Sequence, residues 1–231
     1  MRTFAFVFAR GGSKGVPGKN LRMIGELSLL GHSIRMAEEI PEVEEVFVST
    51  DSEKILEEAD RHGAAVIHRP EKLATDTAPE WLAWQHAIGE VGNRYGAFDC
   101  FLSLPPTSPL RSREDVNAAL ELLDENTDAV VTIQESNRSP WFNMVREQAD
   151  GFLDLLVPPN EGIVRRQDAP TGYDMTTVAY VSSPAFIQGH TRIWEGRVRG
   201  VVVPAERALD IDSELDLQIG EFLYAQRSND L

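Results

Sequence analysis

Short apolar runs alternate along this chain with longer stretches whose apolar positions recur every three or four residues. The runs predict strands at 3–9, 45–49, 64–67, 98–104 and 128–133, and the longer stretches predict helices at 28–40, 52–62, 79–91 and 113–125. That order is the βαβ pattern. Parallel neighbours need a crossover, and helices laid over both faces allow strands that are apolar throughout. A three-layer α/β domain with a mostly parallel sheet is therefore expected. The segment VFVSTDSEKILEEADRHG shows one unit whole: the strand ends at Ser49, Asp51 or Ser52 can cap the helix, and Gly63 can close it. Ligands of such sheets bind beyond the carboxyl ends of the strands.

The alternation breaks at about 135–165, where ESNRSPWFNMV and DLLVPPNEGIVRRQDAP bring turn residues and aromatics. Strands resume at 176–182 and 198–203, and DSELDLQIGEFLYAQR predicts a final helix capped by Asp212 or Ser213. With no repeat and no low-complexity linker, residues 1–231 read as one domain carrying an inserted excursion. The excursion holds Trp141, Phe142, Met144, Phe152, Leu155 and Leu156, and Trp194 follows in FIQGHTRIW. Apolar groups outside the repeating core pattern predict a homodimer surface there.

Composition narrows the partners. A net charge of -15 argues against duplex nucleic acid or an anionic membrane, so any bound anion must meet a local cluster of cations. The single Cys100, inside FDCFLSL, predicts a buried structural thiol and excludes a disulfide framework. With neither a signal-peptide pattern nor an apolar stretch long enough to span a bilayer, a cytoplasmic location is expected.

Candidate chemistry begins where the first strand empties into ARGGSKGVPGKNL, a loop of small residues that also carries Arg10, Lys14 and Lys19. Small residues let backbone amides approach a phosphate closely. A P-loop is excluded because Ser13 stands where its first glycine belongs and Asn20 where its Ser or Thr belongs, and glycines at 11, 12, 15 and 18 do not fit the dinucleotide spacing. A polyphosphate cradle remains. In RALDIDSELDL, Asp210 and Asp212 at i and i+2 project to one side of an extended segment; they either share a cation such as magnesium or divide into a helix cap and a solvated carboxylate. Arg111, in LPPTSPLR, is either a structural partner of a carboxylate or a site residue. Arg165, Arg166 and Gln167 offer a fork for a carboxylate or phosphate, or else a surface ion pair. The five histidines lack zinc-like spacing.

Together ARGGSKGVPGKNL, LLGHSI, VSTD, HRPEKLATDTA, PPTSPLR, RRQD and ALDIDSELDL resemble, in order and over nearly the whole chain, the N-acylneuraminate cytidylyltransferase (CMP-sialic acid synthetase) family. The resemblance implies a Rossmann-like nucleotidyltransferase domain with a dimerising insertion. It implies transfer of CMP from CTP to an acidic nine-carbon sugar for surface glycans, with Mg2+ or Mn2+ as cofactor. Carried over residue by residue, it implies nucleotide contacts from Ala9, Arg10, Gly12, Ser13, Lys19, Asn20, Arg69 and Asp76. It assigns the sugar to Arg166, Gln167, Tyr173, Asp174 and Thr176, the metal to Asp210 and Asp212, and catalysis to Arg10, Lys19 and Asp212. This chain departs from the family in having Pro105 at a position where relatives carry glutamine, Thr176 and Thr177 at an asparagine-glycine pair, and Asp174 at a position often basic. Those changes favour a diacetamido sugar of the legionaminic type. A non-catalytic nucleotide-binding protein and a transferase using another nucleoside triphosphate remain open.

Overall fold

The computed structural model describes residues 1–12, 14–158 and 163–229. In chain order these form β1 (Thr3–Phe8), a hairpin of β2 (Met23–Ile24) and β3 (Leu27–Ser28), α1 (Leu29–Glu38), β4 (Val43–Thr50), α2 (Glu53–Arg61), β5 (Ala65–His68), α3 (Glu80–Tyr95) and β6 (Cys100–Ser103). There follow α4 (Arg113–Glu121), β7 (Ala129–Glu135), a hairpin of β8 (Val145–Glu147) and β9 (Leu153–Leu155), β10 (Tyr173–Ser182), α5 (Pro184–Gly189), β11 (Val198–Val202) and α6 (Glu214–Asn229). Short 3-10 turns stand between them.

A seven-stranded sheet in the order β11-β7-β10-β6-β1-β4-β5 forms the middle layer. It is parallel except for β10, which runs antiparallel to both β6 and β7. In β1 the alternation of side chains sorts Phe4, Phe6 and Phe8 to one face and Ala5 and Val7 to the other. The aromatic face packs Phe4, Phe6, Phe47 and Phe101 under Trp81 and Trp84 of α3, with Phe6 and Phe101 ring centroids 4.7 Å apart. The other face meets α1, α2 and α4 through Leu30, Ile34, Ile55 and Val116. Both faces are covered, as expected, and Cys100 is buried among them with its thiol pKa pushed up to about 12 by desolvation.

Boundaries differ from expectation where local chemistry decides them. Helix α3 runs to Tyr95 and stops at Gly96 (φ 82), a left-handed backbone that glycine adopts freely. Helix α4 ends at Glu121, short of 125, because Asp124 accepts from the Asn126 N–H and the Thr127 hydroxyl and forms a turn. Ser213, one of the two expected caps, opens α6, accepting from Asp216 N–H while the Asp216 carboxylate accepts from Ser213 N–H. The β2–β3 hairpin and α5 are too short to show in the pattern. Among the described residues no helix is long and apolar enough to cross a membrane.

A small satellite core positions the cleft. Ile24 and Leu29 pack against Ile211 and Leu217, joining the first hairpin and α6 around the segment that carries Asp210 and Asp212. Ile211 N–H donates to Thr107 O at 2.8 Å. Arg207 forks onto Asp115 with two 2.8 Å bonds, and Asp115 also accepts from Ser112 N–H at the start of α4.

Candidate active site

Beyond the carboxyl ends of β1 and β6 opens a cleft of about 510 Å³ lined by Arg10, Lys14, Lys19 and Asn20 on one side and Thr107, Thr177, Asp210 and Asp212 on the other. The chain between β1 and α1 is pinned from within. Val16 is fully buried, Asn20 donates to Arg10 O at 3.1 Å, and Gly11 N–H donates to Asp51 at 2.9 Å. Gly15 lies so close to the Asp212 backbone that a Cβ would stand 2.1 Å from its carbonyl oxygen, so no other residue fits there.

Charge in the cleft is paired. Lys19 Nζ lies 2.8 Å from Asp212 Oδ1, the lysine 16% and the aspartate 73% exposed. Asp76 holds Arg10 at 2.5 Å and Lys14 at 2.6 Å, and hydrogen bonds from Lys14 and then Arg10 keep its pKa below the usual carboxylate range. Burial raises the pKa of Asp210, the Thr107 hydroxyl opposing and the charge of Asp212 adding. Asp210 Oδ1 is buried with no hydrogen-bond partner. A buried carboxylate oxygen left without a donor, beside a second carboxylate, fits a hard divalent cation. Among the described residues no three His, Cys, Asp or Glu side chains converge to hold a metal, so phosphate oxygens and water would complete its shell.

A side chamber of about 290 Å³ is shared by Phe8, Arg69, Leu73, Asp76, Ala78 and Glu80. Arg69 is buried, donates to Ser49 O at 2.6 Å and to Ser49 Oγ at 3.2 Å, and lies 5.5 Å over the Phe8 ring. Its burial lowers its pKa. On the other side an aromatic pocket of about 330 Å³ is built from Trp81, Trp84, Met175, Tyr180, Ile193 and Trp194.

The expected residues divide. Arg10, Lys19, Asn20, Asp210 and Asp212 share the cleft; Arg69 and Asp76 share the side chamber with Arg10; Ala9 is buried beneath them; Gly12 is exposed with open space around it. Ser13 lies outside the described residues. The sugar set is not brought to this cleft. Arg166 and Gln167 line a separate cavity of about 420 Å³ with Arg138, and Arg165 pairs with Asp168 at 2.8 Å, an ion pair within one turn. Tyr173 and Asp174 stand at the outer end of β10, opposite Glu135 and Gln134. Thr176 corrects the reading: it is buried and its hydroxyl donates to Thr132 Oγ1 at 2.7 Å, inside the sheet. The register of β10 on β7 shifts between Thr176 and Tyr180, and the local bulge carries Thr177 into the cleft, 2.7 Å from Ser108 Oγ.

Arg111 also resolves. It is buried, donates to Ser33 Oγ at 3.0 Å and to Pro105 O, and among the described residues forms no ion pair. Burial lowers its pKa to about 9, yet a guanidinium is the last side chain to release a proton, so it stays a cation that pins the Pro105 turn. Glu80, Thr107 and Tyr180 line the cleft without having been expected, and Thr177 joins them from a position singled out for its departure from the family. Only the position of Thr107, just after a predicted strand, could have pointed to one of them.

A glycine-rich cationic loop and a carboxylate pair at the open end of a parallel sheet define a nucleotidyltransferase. The cytidylyltransferase family model matches residues 4–140, and the chain belongs to that family. It is 32% identical over 225 residues to post-translational flagellin modification protein B of Campylobacter coli, covering 96% of this chain and 94% of that one. It is 32% identical to the CMP-N,N'-diacetyllegionaminic acid synthase of Campylobacter jejuni, again covering 96% and 94%. To the N-acylneuraminate cytidylyltransferase of Escherichia coli it is 29% identical, covering 95% of this chain and 52% of that protein. The fold matches CMP:2-keto-3-deoxy-manno-octonic acid synthetase complexed with CTP at a TM-score of 0.71 and 15% identity, covering 98% of this chain and all of the other.

Proposed function

We propose that this enzyme transfers CMP from CTP to the anomeric hydroxyl of a nonulosonic acid, releasing pyrophosphate. The observation that carries the reading is the meeting of Lys19 with Asp212 and with Asp210, whose Oδ1 has no hydrogen-bond partner, in one glycine-lined cleft. Nucleotidyl transfer needs positioning and charge neutralisation more than covalent chemistry. Arg10 and backbone amides of the described residues of the glycine-rich loop hold the triphosphate. Lys19, released from Asp212 as phosphate arrives, neutralises charge that grows on the α-phosphate and the departing pyrophosphate. Asp210 and Asp212 would hold Mg2+, which when bound screens the phosphate oxygens and helps orient them. Arg69 and the side chamber receive the nucleoside.

The acceptor reads as a legionaminic-type acid, supported by the name of the Campylobacter jejuni relative and by Thr177, which enters the cleft where an asparagine-glycine pair is common. A homodimer is supported by the β8–β9 hairpin, which leaves Phe152 75% and Leu153 63% exposed, and by Trp194 at 64%. Release of pyrophosphate is measured with each of four nucleoside triphosphates, Mg2+ and a panel of acid sugars. CTP with a nonulosonic acid is the expected productive pair, and no turnover in any mixture containing CTP would refute the reading.

A further inference from the structure

Among the described residues, Glu80 is the one side chain shared by the main cleft, the Arg69 chamber and the aromatic pocket. It stands at the first position of α3, after Pro79, and opens to solvent inside the cleft. Protein nevertheless surrounds the carboxylate closely enough that lost hydration raises its pKa, the Trp84 indole and Arg69 opposing. Tyr180, facing both Glu80 and Asp210, has its own pKa pushed up by burial and then by these two carboxylates. A carboxylate so placed has acceptor capacity left over and aromatic walls beside it.

We infer that Glu80 is a specificity residue for the acceptor sugar, accepting a hydrogen bond from an amide N–H or hydroxyl of the sugar while its charge turns the sugar's own carboxylate away. This deepens the proposed transfer reaction and rests on it. Two effects act together. A charge-assisted bond rewards a donor-bearing substituent. Like-charge repulsion penalises the reversed pose, in which the acid group would sit against Glu80 rather than toward the cations of the loop. The aromatic pocket beside it suits the apolar part of an acylamino group, so donor and methyl are read at adjacent points.

The test separates the two substrates. KM for CTP and KM for the acid are measured for the wild type, E80Q and E80L, with N-acetylneuraminate and N,N'-diacetyllegionaminate as the acids. Thermal melting checks the fold. The expected result is a KM for the acid raised about tenfold or more in E80L and less in E80Q, whose amide oxygen still accepts, with KM for CTP within about twofold of wild type. A rise in KM for CTP with the acid unaffected would overturn the inference, because the carboxylate would then read the nucleotide. So would folded variants with both constants unchanged. Should E80L not fold, the near-isosteric E80Q carries the same comparison. Wild-type protein inert toward CTP with both acids would overturn the transfer reading and this assignment with it, an outcome distinct from the others.

Discussion

Residues 9–21 and the β8–β9 excursion are both turn-rich segments outside the main sheet, and they are held in opposite ways. The first buries Val16, wedges Gly15 against Asp212 and hands each of its cations to a carboxylate of the same chain. The second is exposed at every residue of β8 and leaves Val145, Phe152 and Leu153 facing solvent. Compensated charge on a loop pinned by its own contacts is ready to exchange a carboxylate for a phosphate at little net cost. Exposed apolar surface of this kind marks a place where a partner can dock. The two segments thus read as a substrate site and an interface, and the contrast can be broken at either end.

The largest effects belong to the loop. Lys19→Ala and Asp212→Asn should each lower turnover at least about 100-fold in steady-state assays while melting normally, since each removes charge stabilisation from the reacting phosphates. A folded Asp212→Asn enzyme with near-normal rate under saturating magnesium would remove Asp212 from the site.

The anchor behind the loop comes next. Asp115→Asn should destabilise the fold by about 2 kcal/mol at neutral pH, because the Arg207 fork and the α4 cap share that buried carboxylate. Burial pushes the Asp115 pKa up, but Arg207 and Ser112 hold it below the ordinary value. Its stabilisation is therefore complete above the unfolded pKa of about 3.9 and lost as pH falls through the lower folded value. The gap between variant and wild type should start to close in chemical denaturation as pH falls below about 4 and go on narrowing through the lower folded value; a gap that stays constant across that range would contradict the assignment.

A Phe152→Ser, Leu153→Ser double substitution should shift a dimer toward monomer by light scattering at micromolar concentration, with melting of the monomer little changed. A wild-type monomer under those conditions would contradict the interface. The smallest effect is Asp76→Asn, which frees Arg10 and Lys14 and should lower KM for CTP about twofold to threefold if that pairing competes with phosphate. A raised KM would instead make Asp76 a nucleotide contact, as the family resemblance implies.

Much of this was legible in the chain. The order of strands and helices followed from hydrophobic period, and the cationic loop and the Asp210, Asp212 pair from their spacing beside strand ends. Strand direction was not: an apolar run reads the same whether parallel or antiparallel, so β10 gave no sign of its reversal. Thr176 lies inside the sheet and Thr177 in the cleft because a bulge between Thr176 and Tyr180 breaks strict alternation, and no residue pattern announces that bulge. Glu80 resembled any acidic residue in a helix's first turn, where it would favour the dipole alone. Arg111 was ambiguous because its partners are a carbonyl and a hydroxyl brought from Ser33 and Pro105 by folding.

The central claim is that loop and carboxylate pair meet on one triphosphate. A crystal structure with CTP and Mg2+ tests it most directly. The account predicts phosphates along residues 10–20 with Lys19 parted from Asp212, and oxygens of Asp210 and Asp212 about 2.1 Å from the ion. A triphosphate seated instead in the Arg138 and Arg166 cavity, with the Lys19–Asp212 pair intact, would contradict it.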